Sequence, residues 1–151
     1  MTDAPAVSTV PAAKVNLLEI FRNFPDLDGV TIGYGDPGIA KLEHEHIWIG
    51  DSGPENTAYA PYGQLKMQEE YVLKFAIHIS KPGFTQQEAT ERAFALYSAI
   101  AVGLRPLLRT PTVIAKGVWS FTVSWNQFLE FVSDQGYTAY IDAQIDIKAR
   151  I

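Results

Sequence analysis

Apolar and polar residues alternate with a period of two around Tyr71 to Ile79. Tyr71, Leu73, Phe75, Ile77 and Ile79 share one side, and Lys74, His78 and Ser80 fall on the other. That period predicts a strand with one buried face and one wetter face. Lys81-Pro82-Gly83 ends it, because Pro cannot donate to a ladder and Gly accepts a sharp turn. The period changes at Thr85. Thr85-Gln86-Gln87-Glu88 fits a capping box, in which the Thr side chain and the Glu carboxylate satisfy each other's exposed backbone N–H groups. Ala89, Ala93, Leu96, Ile100 and Leu104 follow at helical spacing, widened by Phe94 and Tyr97, until Pro106 stops the helix. Glu69 to Arg105 thus reads as a strand and a long amphipathic helix joined by a tight turn, and contains no evident catalytic group.

The same periods organise the rest of the chain. Ala12 to Phe24 reads as a first helix, with either Val15, Leu18 and Phe21 or Leu17, Ile20, Phe21 and Phe24 as its apolar stripe, ended by Pro25. Val30 to Tyr34 is a short strand. Glu45 to Gly50 is the next, with Ile47 and Ile49 facing one way and His46 and Trp48 the other; the two strands are expected to pair as a hairpin. Asp51 to Gln68 is the longest irregular stretch, holding Ser52, Gly53, Pro54, Asn56, Pro61 and Gly63, with Tyr59 and Tyr62 among them. Loops this long are usually functional or disordered, and aromatics are enriched at interfaces. Leu107 to Lys116 is a connector. Val118 to Trp125 alternates again, with Trp119, Phe121, Val123 and Trp125 on one face. Asn126 to Gly136 reads either as a bulged continuation of that strand or as a short helix. Tyr137 to Ile151 closes the chain with the cleanest alternation of all.

The order is therefore α-β-β-β-α-β-β. Connections that suit hairpins predict an α+β domain: a mostly antiparallel sheet of about five strands with both helices packed on one face. Residues 1–11 read as a flexible arm, either plainly disordered or docking on a neighbour through Val7 and Val10, and residues 12–151 as a single domain.

Composition narrows the function classes. At 151 residues with 47% hydrophobic side chains, the chain has material for one real core. No apolar run reaches the ~18 residues of a membrane span, and Met1 to Ala13 lacks the basic start and apolar run of a signal peptide. The net charge of −5 and the absence of any Lys/Arg-rich stretch argue against gripping DNA from outside. The absence of Cys removes disulfides, thiolate metal sites and Cys nucleophiles, and fits a reducing compartment.

Candidate chemistry is sparse. His44 and His46, flanked by Glu43 and Glu45 and joined by His78, form a conceivable metal or acid/base set, without an evident supporting shell. Gly33-Tyr34-Gly35-Asp36-Pro37-Gly38 follows a strand but runs toward another strand, so it reads as a turn and not as a phosphate loop. Asp142 and Asp146 share the polar face of the last strand, with nothing in the sequence to separate their pKa values. No nucleophile motif is present, and no cofactor is called for. Aromatics are more telling: Trp48 and Tyr140 fall on polar faces of their strands, with Tyr59 and Tyr62 in the long loop. Together they read as protein contacts, although Trp48 packing beneath the 51–68 loop fits equally.

This order of features resembles the tail terminator proteins of long-tailed, siphophage-type bacteriophages. The resemblance rests on an N-terminal helix, Val30-Thr31-Ile32-Gly33-Tyr34-Gly35-Asp36-Pro37, Ile47-Trp48-Ile49-Gly50-Asp51, a polar loop, and Glu69-Glu70-Tyr71-Val72-Leu73. The helix from Gly83 to Leu104 and a last strand ending Lys148-Ala149-Arg150-Ile151 complete it. It implies a non-enzymatic virion tail protein, assembled in the host cytoplasm as a homo-hexameric ring. Such a ring caps the tail tube, stops its growth and meets the head-tail connector protein, while DNA passes unread through the lumen. It places the contacts with the tail tube protein or the neighbouring subunit at the loop after the second strand, Asp51 to Gln68; joined with the strand aromatics above, the expected interface residues are Trp48, Asp51, Tyr59, Tyr62, Gln64, Lys66 and Tyr140. Another neck or minor tail protein is the nearest alternative. A small α+β metal- or ligand-binding enzyme using His44, His46 and His78 is the alternative of a different class.

Overall fold

In chain order the elements are helix α1 (Val10–Arg22), strands β1 (Thr31–Tyr34), β2 (Glu45–Ile49), β3 (Thr57–Tyr62) and β4 (Lys66–Ile79), helix α2 (Gln86–Leu104), and strands β5 (Val118–Ser133) and β6 (Gly136–Arg150). The structure is a computed structural model that describes residues 8–38, 41–50, 57–62, 66–134 and 136–150. The expected arm before Ser8 and the final residue lie outside the described residues. Ser8 to Pro11, expected in that arm, are hydrogen-bonded or already helical.

The fold is α+β, as the periodicity predicts. A single sheet runs β1-β2-β4-β6-β5, and β3 pairs with β4 beside that path. β4 is the hub. Its C-terminal half pairs with β2 (Ile77 opposite Ile47), its N-terminal half with β3, and its whole other edge with β6 (Leu73 opposite Ile145). All these pairings are antiparallel.

Both helices cover the same side of the sheet. Ala13, Leu17, Leu18 and Phe21 of α1 are buried, and so are Ala89, Ala93, Leu96, Ile100 and Leu104 of α2, the five positions named by the helical spacing. They close on Ile47 and Ile49, on Tyr71 to Ile79 at odd positions, and on Ala139 to Ala149 at odd positions, in one apolar cluster. Burying that much aliphatic surface is the main force holding the layers together. The capping box of α2 forms as expected: Thr85 Oγ1 accepts from the Glu88 N–H (3.1 Å), and Glu88 Oε1 from the Thr85 N–H (3.0 Å). Arg92 of α2 donates twice to the Glu45 carboxylate, at 2.6 and 3.2 Å, which pins the helix to β2.

Three expectations need correcting. β1 and β2 are adjacent but parallel, not a hairpin, with Ile32 opposite Ile47. The ten residues between them carry the chain back to its starting end. Gly35 takes a φ of +80°, and its N–H donates to Ile49 O at 2.6 Å, so the turn is tied to the far end of β2. Second, the Asp51–Gln68 stretch is not irregular throughout, since β3 and the start of β4 pair within it from Thr57↔Tyr71 to Tyr62↔Lys66. Third, Trp119 does not share a face with Phe121. A register shift between Val118 and Ser120 turns it toward Lys148 and Arg150, whose cationic groups lie 5.8 and 5.5 Å from its ring centre. Of the two readings for Asn126 to Gly136, the bulged continuation is the one observed: β5 runs on to Ser133 with a shift between Trp125 and Gln127.

Candidate interaction surfaces

The side of the sheet away from the helices carries the polar halves of β4 and β6. His46 of β2 and His78 of β4 are direct partners across the ladder, and both are buried. His46 Nδ1 accepts the Glu43 N–H at 3.1 Å, which leaves its proton on Nε2. Burial pushes its pKa down, against the opposing pull of Glu43 and Asp36. His78 is pushed down to about 4, by burial first and by His46 second. Its Nδ1 is buried without a hydrogen-bond partner among the described residues. His44 does not join them. It stands exposed before β2, its Nδ1 3.1 Å from Ser80 O. Glu45, expected beside the histidines, is committed to Arg92. Among the described residues no three His, Asp or Glu side chains are placed to hold a metal ion.

Trp48 lies in the same row, 7% exposed, with its ring 5.8 Å from that of His46 and 6.2 Å from that of half-buried Tyr140. Asp51 and Gln64 lie outside the described residues. Tyr59, Tyr62 and Lys66 lie on the paired strands β3 and β4, with Tyr59 opposite Glu69 and Tyr62 opposite Lys66. Trp48 and Tyr140 belong to the other half of the sheet, so the five interface candidates among the described residues divide into two groups.

Asp142 and Asp146 do share a face. Asp146 accepts from Gln144 Nε2 (2.8 Å) and Thr122 Oγ1 (3.4 Å), a solvated polar ladder along β5 and β6. A different carboxylate is buried. Glu69 is fully enclosed beneath the start of α1, where it accepts from Ser8 and Thr9. Sequence reasoning passed over it, yet the signal was present. Extending the odd-numbered apolar face of β4 by one step reaches Glu69, an acid on a buried row.

The surface that sequence reasoning missed is the β5–β6 hairpin. Trp119, Trp125, Leu129, Phe131, Val132 and Tyr137 are all exposed large hydrophobics. Trp125 and Phe128 on the helix side lean on Phe94 of α2, with ring centres 5.6 and 5.0 Å away. Next to them, Tyr97, Ala101, Leu104 and Leu108 face Phe121 and Val123 across a groove of ≈ 470 Å³. Burial there raises the Tyr97 pKa. The available signal was the composition of β5: no Lys, Arg or Pro, and apolar residues on both of its faces.

No protein-family model matches the chain, and no curated protein matches it. Among solved structures, a chain in the virion of a native gene transfer agent particle has a similar fold, with a TM-score of 0.59 at 14% identity. The likeness covers 97% of this chain and 100% of that one. At that identity it speaks for the fold.

Proposed function

We propose that this chain is a structural protein of a phage-like virion, and that its station is the tail end. There it would form a ring that caps the tail tube, stops its polymerisation and joins it to the head connector. The observation that carries the reading is the end-to-end likeness to a chain of a virion particle. It covers 97% of this chain, so it is more than a shared hairpin or helix pair. The finer station, the tail terminator, is supported by the sequence resemblance, whose elements recur in the structure in the same order. A closed ring also needs two different sticky surfaces on each copy, because only head-to-tail contacts propagate around a circle. The reading assigns no catalysis and no cofactor, and treats DNA as cargo that passes through.

The test is reconstitution. Purified protein is mixed with tail tubes of its own particle and examined by light scattering and negative-stain imaging. A ring of extra density at one tube end, with tube growth arrested, is expected. A protein that stays strictly monomeric and adds nothing to tubes at any concentration would overturn the reading.

A further inference from the structure

We propose that the outer edge of β5 is the surface on which a second copy of this chain docks, by adding strand to strand. The inference rests on the ring-forming reading above and names the contact that would build the ring.

β5 ends the sheet, and among the described residues no strand lies on its outer side. An open strand edge is a template for pairing with another chain, and proteins that stay single blunt it with Lys, Pro or short strands. β5 has none of these three, although two register shifts interrupt it near Trp119 and Asn126. It is 16 residues long, with Glu130 as its one charged residue, and Glu130 is already engaged with Thr90 Oγ1 at 2.9 Å. The edge is also apolar where edges are usually polar. Trp125 is 47% exposed and Val132 70% exposed, with Leu129 and Phe131 between them.

The dimensions fit a protein partner. Sixteen residues at about 3.3 Å each give an edge of about 53 Å. Across one sheet layer about 10 Å thick, that is on the order of 500 Å². The apolar groove between β5 and α2 continues it on the helix side, toward the about 800 Å² per partner of a stable interface. A strand laid on this edge would set alternate side chains into that groove, with the others over Thr122, Ser124 and Gln127. It would need the apolar/polar alternation that this chain's own strands carry.

A second copy is the occupant the topology favours. The sheet's opposite end is β1, also open on its outer side among the described residues, where Tyr34 is 55% exposed. Each copy therefore presents two unlike edges at opposite ends of one sheet. Joining unlike edges gives a head-to-tail contact, the kind that closes into a ring.

The experiment uses the full chain. Leu129→Lys/Phe131→Lys and Val132→Lys are compared with the parent and with Val15→Lys, which charges an exposed apolar residue on α1 instead. Mass is measured by light scattering, in solution and on tail tubes, with melting temperature recorded for each. The parent and Val15→Lys are expected to assemble; the β5 variants should remain monomeric with melting temperatures close to the parent's. Amide exchange on the parent adds a readout that needs no variant. The outward-pointing backbone amides within residues 118–133, those not already bonded to β6, should slow at least tenfold on assembly. Normal assembly of folded β5 variants, or unchanged exchange in β5, overturns the edge while leaving the ring reading standing. Failure of the parent itself to assemble, even on tubes, overturns both.

Discussion

One oxygen of Glu69 holds two groups of Thr9: Oε1 accepts the backbone N–H and the side-chain hydroxyl of Thr9, each at 2.8 Å, in a fully buried setting. Ser8 Oγ donates to the other oxygen at 2.5 Å, and Tyr71 Oη lies 2.7 Å from Thr9 Oγ1. The N-cap hydroxyl of α1 is thus spent on the sheet and not on its own helix. Glu69→Ala would leave the buried Thr9 N–H without its acceptor, while the Thr9 hydroxyl could still turn to Tyr71 Oη. The expected cost is about 2–4 kcal/mol, since hydrogen bonds to charged groups are the strong ones. Glu69→Gln, which keeps an acceptor, should lose less. Urea unfolding measures both; equal losses would mean the charge plays no part.

Acid should weaken the protein through His78. Its pKa is about 4 in the folded chain, against 6.5 for an unperturbed His. Between those values the unfolded chain binds a proton that the folded chain refuses, so stability falls as pH drops below 6.5 and levels off near 4. At about 1.4 kcal/mol per pKa unit, a fall from 6.5 to about 4 amounts to about 3.5 kcal/mol at most, less what solvent screens. His46 adds to it with the same sign. Unfolding free energies from pH 4.5 to 7.5 should therefore slope upward in the parent and less in His78→Gln. An identical slope in the variant would remove His78 as the cause.

Leu96 and Ile100 sit at the centre of the helix–sheet interface, 1% and 0% exposed. Replacing either with Ala should cost about 2–5 kcal/mol, the usual range for large-to-small changes in a core. Tyr59→Ala/Tyr62→Ala is expected to behave in the opposite way, weakening attachment to the tail tube more than it lowers the urea midpoint. Unfolding of the tyrosine variant alone would mean that core and contact surface have been exchanged.

Gly117 sits where the chain enters β5, with a φ of +98°. A Cβ there would fall 2.3 Å from the carbonyl oxygen of Arg150. That carbonyl is backbone and cannot swing aside, and Gly117 O itself accepts the Arg150 N–H at 2.8 Å. Gly117→Ala should therefore destabilise by more than the about 1 kcal/mol typical of lost glycine freedom. A melting temperature equal to the parent's would show that the β5–β6 entry can shift.

What could be read from the sequence was local. The capping box at Thr85, the five buried positions of α2 and the alternation of β6 each depend on neighbours within a few residues. Pairing direction depends on distant partners. The strands that became β1 and β2 look the same in the sequence whether parallel or antiparallel; the tie from Gly35 to Ile49 accompanies the parallel pairing. β3 was hidden because Pro61 and its polar surroundings suggest a loop, yet β4 offers it an edge to pair with. The bulges at Trp119 and Asn126 broke the period of β5 and concealed both its length and its open edge. Of the interface candidates, Trp48 and Tyr140 were legible as a pair on one face because their strands alternate cleanly. The hairpin aromatics were not, because a slipped period hides which side they are on.

The central position of β4 also sets the order in which the molecule can be built. The partner of its longer edge, β6, lies about 70 residues later in the chain, and contacts that distant slow folding because a large loop must close first. During synthesis β4 and α2 emerge well before the strand that completes their layer. β5 and β6, consecutive in the chain and paired along their length, can zip together quickly on their own, in microseconds for a typical hairpin. The hairpin must then dock as a unit against a waiting half-sheet. A nascent chain stopped before Gly136 would hold β4 with one side bare, so the fold is completed only once the ribosome has passed the β6 segment.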